Sequence, residues 1–300
     1  MQSPDLESTL KDFDFVLPPE LIAQSKNKSG ESNLLVVDLP SGDLIVSKTS
    51  LLDKFLPQTV NFFFNASSVL PTRHHFQTAS GRMHEVLFVD QDYDKLPNVK
   101  VKIRNLSKLH LGDVLYFGDH SFVFEARDGA LAILQSSFRH KDEVFHFHLK
   151  FGKTPSPPYM KQVENLHDYQ NPLGDLQESI AAPTSCYHFT PEVLRKFSPS
   201  QFNKVYLRVG LGTFEPISSL DHLHTEKFFI PEVSAGQFKK LNKESRCIVG
   251  TTALRALESW HRQNRTLGET NLFLKYDNLP QIEFGNLLTN FHLPKSSLFM

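Results

Sequence analysis

The stretch CIVGTTALRALESW, residues 247–260, is the strongest fold signal in the sequence. Three apolar residues lead into Gly250, and the residues that follow place four apolar side chains on one helix face: Ala253, Leu254, Leu257 and Trp260. A short apolar strand that passes through a tight turn directly into an amphipathic helix is typical of α/β proteins. We expect Thr251 or Thr252 to cap this helix.

The same alternation of strands and helices extends over the C-terminal half of the chain. Pro191 is expected to open a short helix, and apolar runs bounded by turn residues predict the further elements. These are a strand at 205–209, a helix at 232–243 and closing strands at 273–274 and 287–288. Near the N-terminus, residues 13–18 and 34–38 are predicted to be strands and residues 51–56 to be helical.

Residues 80–151 have a different pattern, which predicts a separate all-β module. In the segment 99–104, apolar residues alternate with Lys100, Lys102 and Arg104, so one strand face is apolar and the other is basic. Phenylalanine alternates with polar residues in FHFHLKF at 145–151, which also favours a strand. Several short strands at this spacing indicate a small barrel or sandwich.

Composition and charge describe an ordinary soluble globular chain. It has 300 residues with 40% hydrophobic and 22% charged residues, and its formal net charge is -1. A polyanionic partner would therefore need a local basic patch rather than a global field. The N-terminus lacks a signal-peptide pattern and no stretch reaches the length of a membrane span, which predicts a cytoplasmic protein. Cys186 and Cys247 lie far apart and are expected to be buried thiols.

Two glycine-containing loops follow predicted strands, at Gly210-Leu211-Gly212-Thr213-Phe214 and at Gly250-Thr251-Thr252. Small residues allow backbone N–H groups to approach a ligand, and a helix start favours an anion. Neither loop has the complete dinucleotide or Walker pattern. The spacing alone leaves two interpretations open, a ligand cradle and a plain tight turn.

Several histidines stand in polar loops, where an imidazole can move a proton near neutral pH. His188 and His292 are the main candidates, and a turn-bonding role is the alternative for each. His222, His224 and Asp221 form a weaker candidate metal site, because a helical H-E-x-x-H spacing and cysteine partners are missing. The basic face of Lys100, Lys102 and Arg104 is a candidate RNA-binding surface, with a solvated face as its alternative.

Several motifs together resemble the S-adenosylmethionine:tRNA ribosyltransferase-isomerase family of queuosine biosynthesis. They occur in the family's order along nearly the whole chain: FDFVLPPELIAQ at 13–24, NLLVVD at 33–38, VLPTR at 69–73, PPYMK at 157–161, AAPTSCYHFTPEVL at 181–194, VGLGTFEPI at 209–217, VGTTALRALES at 249–259 and LLTNFHLPKSSL at 287–298.

This resemblance implies both an architecture and a reaction. The architecture is a barrel-like α/β domain formed by residues 1–66 and 150–300, with a small all-β barrel domain inserted at 67–149. The reaction transfers and isomerises the ribosyl moiety of S-adenosylmethionine onto 7-aminomethyl-7-deazaguanine in tRNA, giving epoxyqueuosine and releasing adenine and methionine. S-adenosylmethionine is then a consumed co-substrate, tRNA is the partner, no metal is expected, and we expect a monomer.

The resemblance also implies roles for individual residues. His188 and His292 are the expected acid, base or positioning residues. The expected S-adenosylmethionine pocket comprises Thr184, Phe189, Gly210, Leu211, Gly212, Thr213, Phe214, Gly250, Thr251, Thr252, Arg255, Asn290 and Phe291. Phe189, Phe214 or Phe291 would stack on adenine or the sulfonium, while Phe214 and Phe291 have a core position as their alternative. Arg255 would hold a carboxylate or phosphate, with a local pairing as its alternative. Arg73, within a matching motif, would likewise hold a carboxylate or phosphate, and it joins Lys100, Lys102 and Arg104 of the basic strand face as an expected RNA contact.

The departures from the family pattern that bear on activity include Ser68, Ser185, Cys186, Tyr187 and Arg208. Ser68 replaces a basic residue, Cys186 and Tyr187 replace a Gly-Leu pair, and Arg208 replaces a histidine. The chain also ends at Met300, where relatives continue. These departures leave a second interpretation open, a non-catalytic or truncated relative that binds S-adenosylmethionine, tRNA or both.

Overall fold

The computed structural model describes residues 10–11, 13–22, 32–89, 92–155, 170–214, 219 and 222–295, without the side chains of residues 213 and 214. The chain forms two compact units. The sheet unit comprises Met1–Ser68, Gln170–Gln177 and Ala182–Met300, and the barrel unit comprises Val69–Tyr169 and Glu178–Ala181.

The strands, numbered in chain order, are β1 (Asn33–Val37), β2 (Leu44–Lys48), β3 (Asn61–Asn65), β4 (Ser67–Val69), β5 (Arg73–Thr78), β6 (Met83–Phe88), β7 (Asn98–Ile103), β8 (Val114–Phe117), β9 (His120–Asp128), β10 (Leu131–Gln135), β11 (Leu176–Ser179), β12 (Phe202–Leu207), β13 (Glu226–Phe229), β14 (Arg246–Val249), β15 (Leu267–Thr270) and β16 (Asn286–Leu288). The α-helices are α1 (Lys141–Phe151), α2 (Pro191–Leu194), α3 (Glu232–Lys240) and α4 (Thr251–Gln263). Short 3-10 helices span Pro19–Leu21, Thr49–Lys54, Leu106–Lys108, Thr184–His188, Pro199–Gln201, Leu211–Phe214 and Lys243–Ser245.

The sheet unit is built on a six-stranded mixed sheet with the order β15-β13-β12-β3-β14-β16. The central strand β3 pairs in parallel with β12 and β14, and β16 pairs in parallel with β14. Strand β13 is antiparallel to β12 and to β15. Every residue of β3 is buried, which suits a central parallel strand covered on both faces.

Successive phenylalanines of β3 serve opposite faces of this sheet. Phe63 joins a core made with α3 and α4, in which α4 contributes the face predicted from the sequence. Phe62 and Phe64 join a second core with Phe189 and Val193. The period of two along a strand therefore explains how one phenylalanine run supplies two cores.

The helix predicted at the end of the 247–260 stretch is confirmed, but its cap differs from the prediction. Gly250 is the N-cap residue, no side chain caps it, and Thr251 already belongs to the helix. Gly250 has φ +88°, a backbone conformation that turns the chain from strand to helix within one residue. A threonine cap is therefore not needed to begin the helix.

Two other sequence predictions in this unit are wrong. Residues 14–18 form no regular element, and Pro19–Leu21 is a 3-10 helix. Residues 273–274 are not a strand; the strand in this region is β15, which pairs with β13. Phe273 is a buried loop residue, so burial outside a strand produced the wrong signal there, whereas Phe15 and Val16 are 40% and 92% exposed.

The barrel unit contains a closed six-stranded barrel with the order β10-β7-β6-β5-β8-β9. All strand pairs in it are antiparallel, and the interior is filled mainly by phenylalanine and branched aliphatic residues. In β7, Val99, Val101 and Ile103 are buried while Lys102 is exposed, as the alternation predicted. Closure leaves no free edge for another strand in the barrel.

The segment FHFHLKF at 145–151 is helical, which corrects the strand predicted there. It lies in α1, where Val144, Phe147 and His148 form the buried face at helical spacing. Leu149 and Phe151 are 53% and 39% exposed. An alternation of only seven residues also satisfies part of a helical period, so the pattern did not discriminate between the two structures.

The predicted fold class, mixed α/β with a small β-barrel, is confirmed. The predicted domain boundaries, 1–66, 67–149 and 150–300, stay a prediction. They differ from the bounds of the two compact units given above. Among the described residues, no helix combines the length and apolarity needed to cross a membrane. Cys186 and Cys247 are both buried, and burial raises the pKa of the Cys247 thiol to about 12.

Candidate functional site

Four parallel strands of the sheet unit end at one edge, and each is followed by a segment that carries a predicted site residue or motif. Asn65 ends β3, Gly210 follows β12, Gly250 follows β14 and Asn290 follows β16. Asn65 joins two of these strands, because its Nδ2 donates to the carbonyl of Leu207 at 2.9 Å. Ligands of open α/β sheets bind outside the carboxyl ends of the strands, so this edge is the candidate site.

Three predicted residues from separate motifs meet in a hydrogen-bonded triad at this edge: Thr184, Asn290 and His188. The Asn290 Nδ2 donates to Thr184 Oγ1 at 3.0 Å. The Asn290 Oδ1 accepts a hydrogen bond from His188 Nε2 at 2.8 Å. Thr184 and His188 are the two ends of one 3-10 helix, and Asn290 follows β16, so tertiary structure brings the triad together.

The triad selects one tautomer of His188. Since Asn290 Oδ1 only accepts, Nε2 must carry the proton, and the lone pair of the neutral ring is on Nδ1. A half-buried imidazole oriented by an amide can take up a proton at a defined atom. This is the arrangement that a residue of the proposed acid–base role requires.

Gly250 lies directly beside this triad segment. A Cβ atom at Gly250 would be 2.8 Å from Ser185 Oγ, and the φ of +88° is also unfavourable for other residues. Helix α4 begins directly after Gly250, and the N–H groups of a first helical turn have no partner within the helix. Thr251 and Thr252 are half-buried there. This close approach explains why glycine stands at the start of α4.

His292 and Phe291 lie in the segment after β16. His292 is half-buried, and burial lowers the pKa of its imidazole, which keeps the ring neutral at pH 7. Phe291 is 85% exposed, so its alternative as a core residue is wrong. An exposed aromatic ring next to the triad remains available to stack on a ligand.

The Gly210 loop is held by Glu226, which is not among the site residues predicted from the sequence. The N–H of Gly210 donates to Glu226 Oε1 at 2.8 Å. The side chain of His224 packs against Gly212, where a Cβ atom would be 2.2 Å from the imidazole Cγ. The side chains of Thr213 and Phe214, and all of Asp221, lie outside the described residues.

Arg255 holds a carboxylate, but that carboxylate belongs to this chain. Its Nη1 donates to Glu226 Oε2 at 2.6 Å, and the residue is only 8% exposed. The predicted role, direct contact with a substrate carboxylate or phosphate, is therefore corrected: the guanidinium is buried and engaged with Glu226. The alternative of a pairing within its own helix is also wrong, because Glu226 begins β13.

Phe189 is corrected from a pocket residue to a core residue. It is 1% exposed, and its ring makes edge contacts with Phe62 and Phe202 at centroid distances of 5.3 and 5.8 Å. Phe189 directly follows the 3-10 helix Thr184–His188, and its packing in the core explains its position in the motif. Ser68 and Cys186 are also buried, whereas Tyr187 and Arg208 are half-buried.

The predicted RNA contacts all lie in the barrel unit, with different surroundings. Lys100 Nζ is 2.7 Å from Asp128 Oδ2, and this hydrogen bond lowers the pKa of Asp128. Lys102 and Arg104 are exposed. Arg73 is half-buried at the start of β5, where its backbone pairs with that of Lys153.

The weak candidate metal site at His222, His224 and Asp221 gains no support within the described residues. No group of three or more histidine, cysteine, aspartate or glutamate side chains is placed there to hold a metal ion. Asp221 itself falls outside the described part of the chain.

Glu226 was missed because its signal is weak in sequence. It stands in HLHTEKFF as one charged residue before an apolar run, which predicts an ordinary strand end. Its burial and its pairing with Arg255, 29 residues later, depend on the antiparallel placement of β13. A buried carboxylate could have been suspected only from the need of Arg255 for a partner.

Comparisons with known proteins agree over nearly the whole chain. A family model described as queuosine biosynthesis protein matches residues 10–300. An S-adenosylmethionine:tRNA ribosyltransferase-isomerase of Treponema denticola is 35% identical over 316 residues, covering 97% of this chain and 89% of the relative. A protein of the same name from a Sulfurihydrogenibium species is 32% identical over 309 residues, with 97% and 89% covered.

A solved structure supports the fold alone. The crystal structure of an S-adenosylmethionine tRNA ribosyltransferase from Thermotoga maritima matches with a TM-score of 0.50 and 24% identity. The match covers 96% of this chain and 87% of that chain. The similarity therefore extends through both the sheet unit and the barrel unit.

Proposed function

Because this chain belongs to the queuosine biosynthesis protein family, whose named relatives are S-adenosylmethionine:tRNA ribosyltransferase-isomerases, we propose that it catalyses their reaction. It transfers and isomerises the ribosyl moiety of S-adenosylmethionine onto 7-aminomethyl-7-deazaguanine in tRNA. The products are epoxyqueuosine in tRNA, adenine and methionine. The protein works on tRNA in the cytoplasm as a monomer, and S-adenosylmethionine is consumed as a co-substrate.

The hydrogen-bonded triad is the observation that carries this proposal. The reaction requires a proton to leave the carbon next to the sulfonium and another to reach the departing adenine. His188 has its Nε2 proton held by Asn290, so Nδ1 is the atom that can accept a proton. His292, kept neutral by burial, is a second group able to accept or return one.

The sheet unit supplies the features that an S-adenosylmethionine pocket needs. Gly210 follows β12 and Gly250 follows β14, the two strands on either side of β3, and the first turn of α4 favours the carboxylate of the methionine part. Phe291 offers an exposed ring for adenine or for the sulfonium cation. We assign S-adenosylmethionine binding to this unit on these grounds.

We assign tRNA contacts to the barrel unit. Lys102 and Arg104 are exposed on the strand face predicted to be basic, and both can approach phosphates. Lys100 contributes less than they do, because Asp128 already pairs with its ammonium group. Small β-barrels commonly bind looped or single-stranded RNA, which is the form of a wobble nucleotide.

The test is the mass of the modified nucleoside after incubation of the purified chain with S-adenosylmethionine and tRNA that carries 7-aminomethyl-7-deazaguanine. We expect the mass to increase by the ribosyl-derived group, with one adenine released per modified nucleoside. The variant His188→Ala should fold and yet lose this turnover, because it lacks the proton acceptor of the triad.

Two other results would reject the proposal. A folded chain that binds S-adenosylmethionine or tRNA and leaves the nucleoside mass unchanged would be a non-catalytic relative. Release of adenine at an equal rate without tRNA would instead indicate a transferase or hydrolase that ignores RNA.

A further inference from the structure

Glu226 is a buried carboxylate whose partners lie at the edge of the sheet that forms the candidate site. Its side chain is 2% exposed. The Oε1 atom accepts the N–H of Gly210 at 2.8 Å and lies 3.0 Å from His224 Nε2. The Oε2 atom accepts a hydrogen bond from Arg255 Nη1 at 2.6 Å. One carboxylate therefore contacts the Gly210 loop, an imidazole and helix α4.

Arg255 extends this network to the loop before β13 and to the end of β15. Its Nη2 donates to the carbonyl of His224 at 2.8 Å and to the carbonyl of Thr270 at 3.1 Å. Arg255 stands one helical turn after Thr251, the first residue of α4. The start of α4 and the Gly210 loop are consequently tied to each other through Glu226 and Arg255.

The imidazole of His224 packs directly against Gly212. A Cβ atom at Gly212 would lie 2.2 Å from Cγ and 2.5 Å from Nδ1 of this imidazole, so the ring occupies the space that a side chain would need. The His224 side chain is 25% exposed, which leaves part of the ring accessible. Its Nε2 lies 3.0 Å from Glu226 Oε1 without hydrogen-bond geometry, and its carbonyl accepts a hydrogen bond from Arg255.

A buried network of charged side chains contributes little net stability to a fold. Burying a carboxylate and a guanidinium carries a desolvation cost that their attraction only partly offsets, and apolar replacements are often as stable. A second buried pair in the same unit offers a comparison. Glu258 accepts hydrogen bonds from Arg262 and from the N–H groups of Gln281 and Ile282, none of which is a candidate site residue.

We propose that Glu226, held by Arg255, is a positioning residue for S-adenosylmethionine. It fixes the N–H of Gly210 and the ring of His224 relative to the start of α4, so that the two glycine loops hold one ligand between them. This inference rests on the proposed function, since it assigns a role within the same pocket. Glu226 acts through the loop and the imidazole, not by contact with the reacting atoms.

The experiment compares two charge-neutralising substitutions of buried glutamates, Glu226→Gln and the matched control Glu258→Gln. Both should lower the thermal midpoint, because each leaves a buried or half-buried arginine without its carboxylate. We expect Glu226→Gln to raise the KM for S-adenosylmethionine about tenfold or more while kcat changes much less, as for lost uniform binding. The KM for tRNA should stay unchanged, and Glu258→Gln should leave both KM values at those of the unmodified chain.

Direct binding separates failure of this inference from failure of the proposed function. Equilibrium dialysis with S-adenosylmethionine alone measures Kd whether or not the chain turns over. A Glu226→Gln variant with lowered stability and an unchanged Kd and KM would show a purely structural role and overturn the inference. A chain that binds S-adenosylmethionine without turnover would reject the proposed function, and the Kd values would still decide this inference.

A double variant covers the case in which Glu226→Gln does not fold. Glu226→Leu with Arg255→Met replaces both buried charges with apolar side chains, so folding should recover. We expect its Kd for S-adenosylmethionine to stay raised about tenfold or more, because the side chain at position 226 then no longer accepts the N–H of Gly210. A double variant that binds as tightly as the unmodified chain would contradict the inference.

Discussion

At the scale of single residues, the side-chain amide of Asn290 determines which nitrogen of His188 carries the proton. Asn290 donates to Thr184 and accepts from His188, so the orientation of its side chain is set at both ends. That orientation places the His188 proton on Nε2. The chemistry expected of His188 therefore depends on Asn290, which itself has no titratable group.

The substitution Asn290→Leu tests this dependence. It keeps the side-chain size and removes both hydrogen bonds, so the His188 ring loses its orientation and its tautomer. We expect kcat to fall about tenfold to a hundredfold, as measured by single-turnover adenine release with both substrates saturating. The control is Asn286→Leu, at the start of the same β16, which should retain the kcat of the unmodified chain. Equal losses in the two variants would contradict the role of Asn290.

At the scale of elements, helix α1 packs against the barrel core through a buried polar chain. His148 on α1 has Nδ1 2.9 Å from Nε2 of His74 on β5, and its Nε2 is 2.6 Å from the hydroxyl of Tyr93. Phe147 stacks on His74 at 4.5 Å. Burial lowers the pKa of His74 to about 3 and lowers that of His148 as well, so both rings are neutral in the folded barrel.

This arrangement predicts acid sensitivity of the barrel unit. His74 takes up a proton near pH 6.5 in the unfolded chain and only near pH 3 in the folded one, so unfolding binds a proton between these values. Its contribution to the free energy of unfolding is full above pH 6.5 and falls by about 1.4 kcal/mol per pH unit below it.

The substitution His74→Gln removes that titration. Denaturant unfolding of the full chain between pH 6.5 and 4, followed by a signal from the barrel unit, should show a pH slope smaller by about 1.4 kcal/mol per unit. The control is His140→Gln, at an exposed position before α1, which should keep the slope of the unmodified chain. A variant at His74 with the original slope would mean that folding does not lower the pKa of this ring.

At the scale of the whole molecule, the protein itself has almost no net charge, although its tRNA substrate is a polyanion. Its formal charge is -1, so attraction to tRNA has to come from local groups. The barrel face with Lys102 and Arg104 is such a group of exposed cations, while Lys100 is paired with Asp128. A local rather than global field predicts that a few substitutions change the salt dependence strongly.

The double substitution Lys102→Gln with Arg104→Gln tests the assigned RNA surface. We expect weaker tRNA binding and a slope of log K against log salt that is smaller by about one per lost phosphate contact. Filter binding or fluorescence anisotropy over a series of salt concentrations measures this slope. Lys243→Gln, an exposed lysine of the sheet unit, is the control. A slope equal to that of the control would remove this face from the RNA interface.

The sequence by itself determined the family, the fold class and the local elements whose period is long and regular. The α4 helix and the β7 strand followed from their hydrophobic periods, because a continuous period reports which face is buried. The motifs also identified Thr184, His188 and Asn290 as candidate residues. The strand prediction for residues 145–151 was wrong, because a run of only seven residues fits the period of a strand and that of a helix.

Only the tertiary structure decided which of these residues meet and which face the core. Thr184 and Asn290 are 106 positions apart and become neighbours because parallel strands end at one edge of the sheet. Phe189 and Arg255 share motifs with site residues. Packing against Phe62 buries the Phe189 ring, and the Arg255 guanidinium is hydrogen-bonded to the Glu226 carboxylate. Burial and pairing over long sequence distances are properties of the folded chain, and no local pattern of residues encodes them directly.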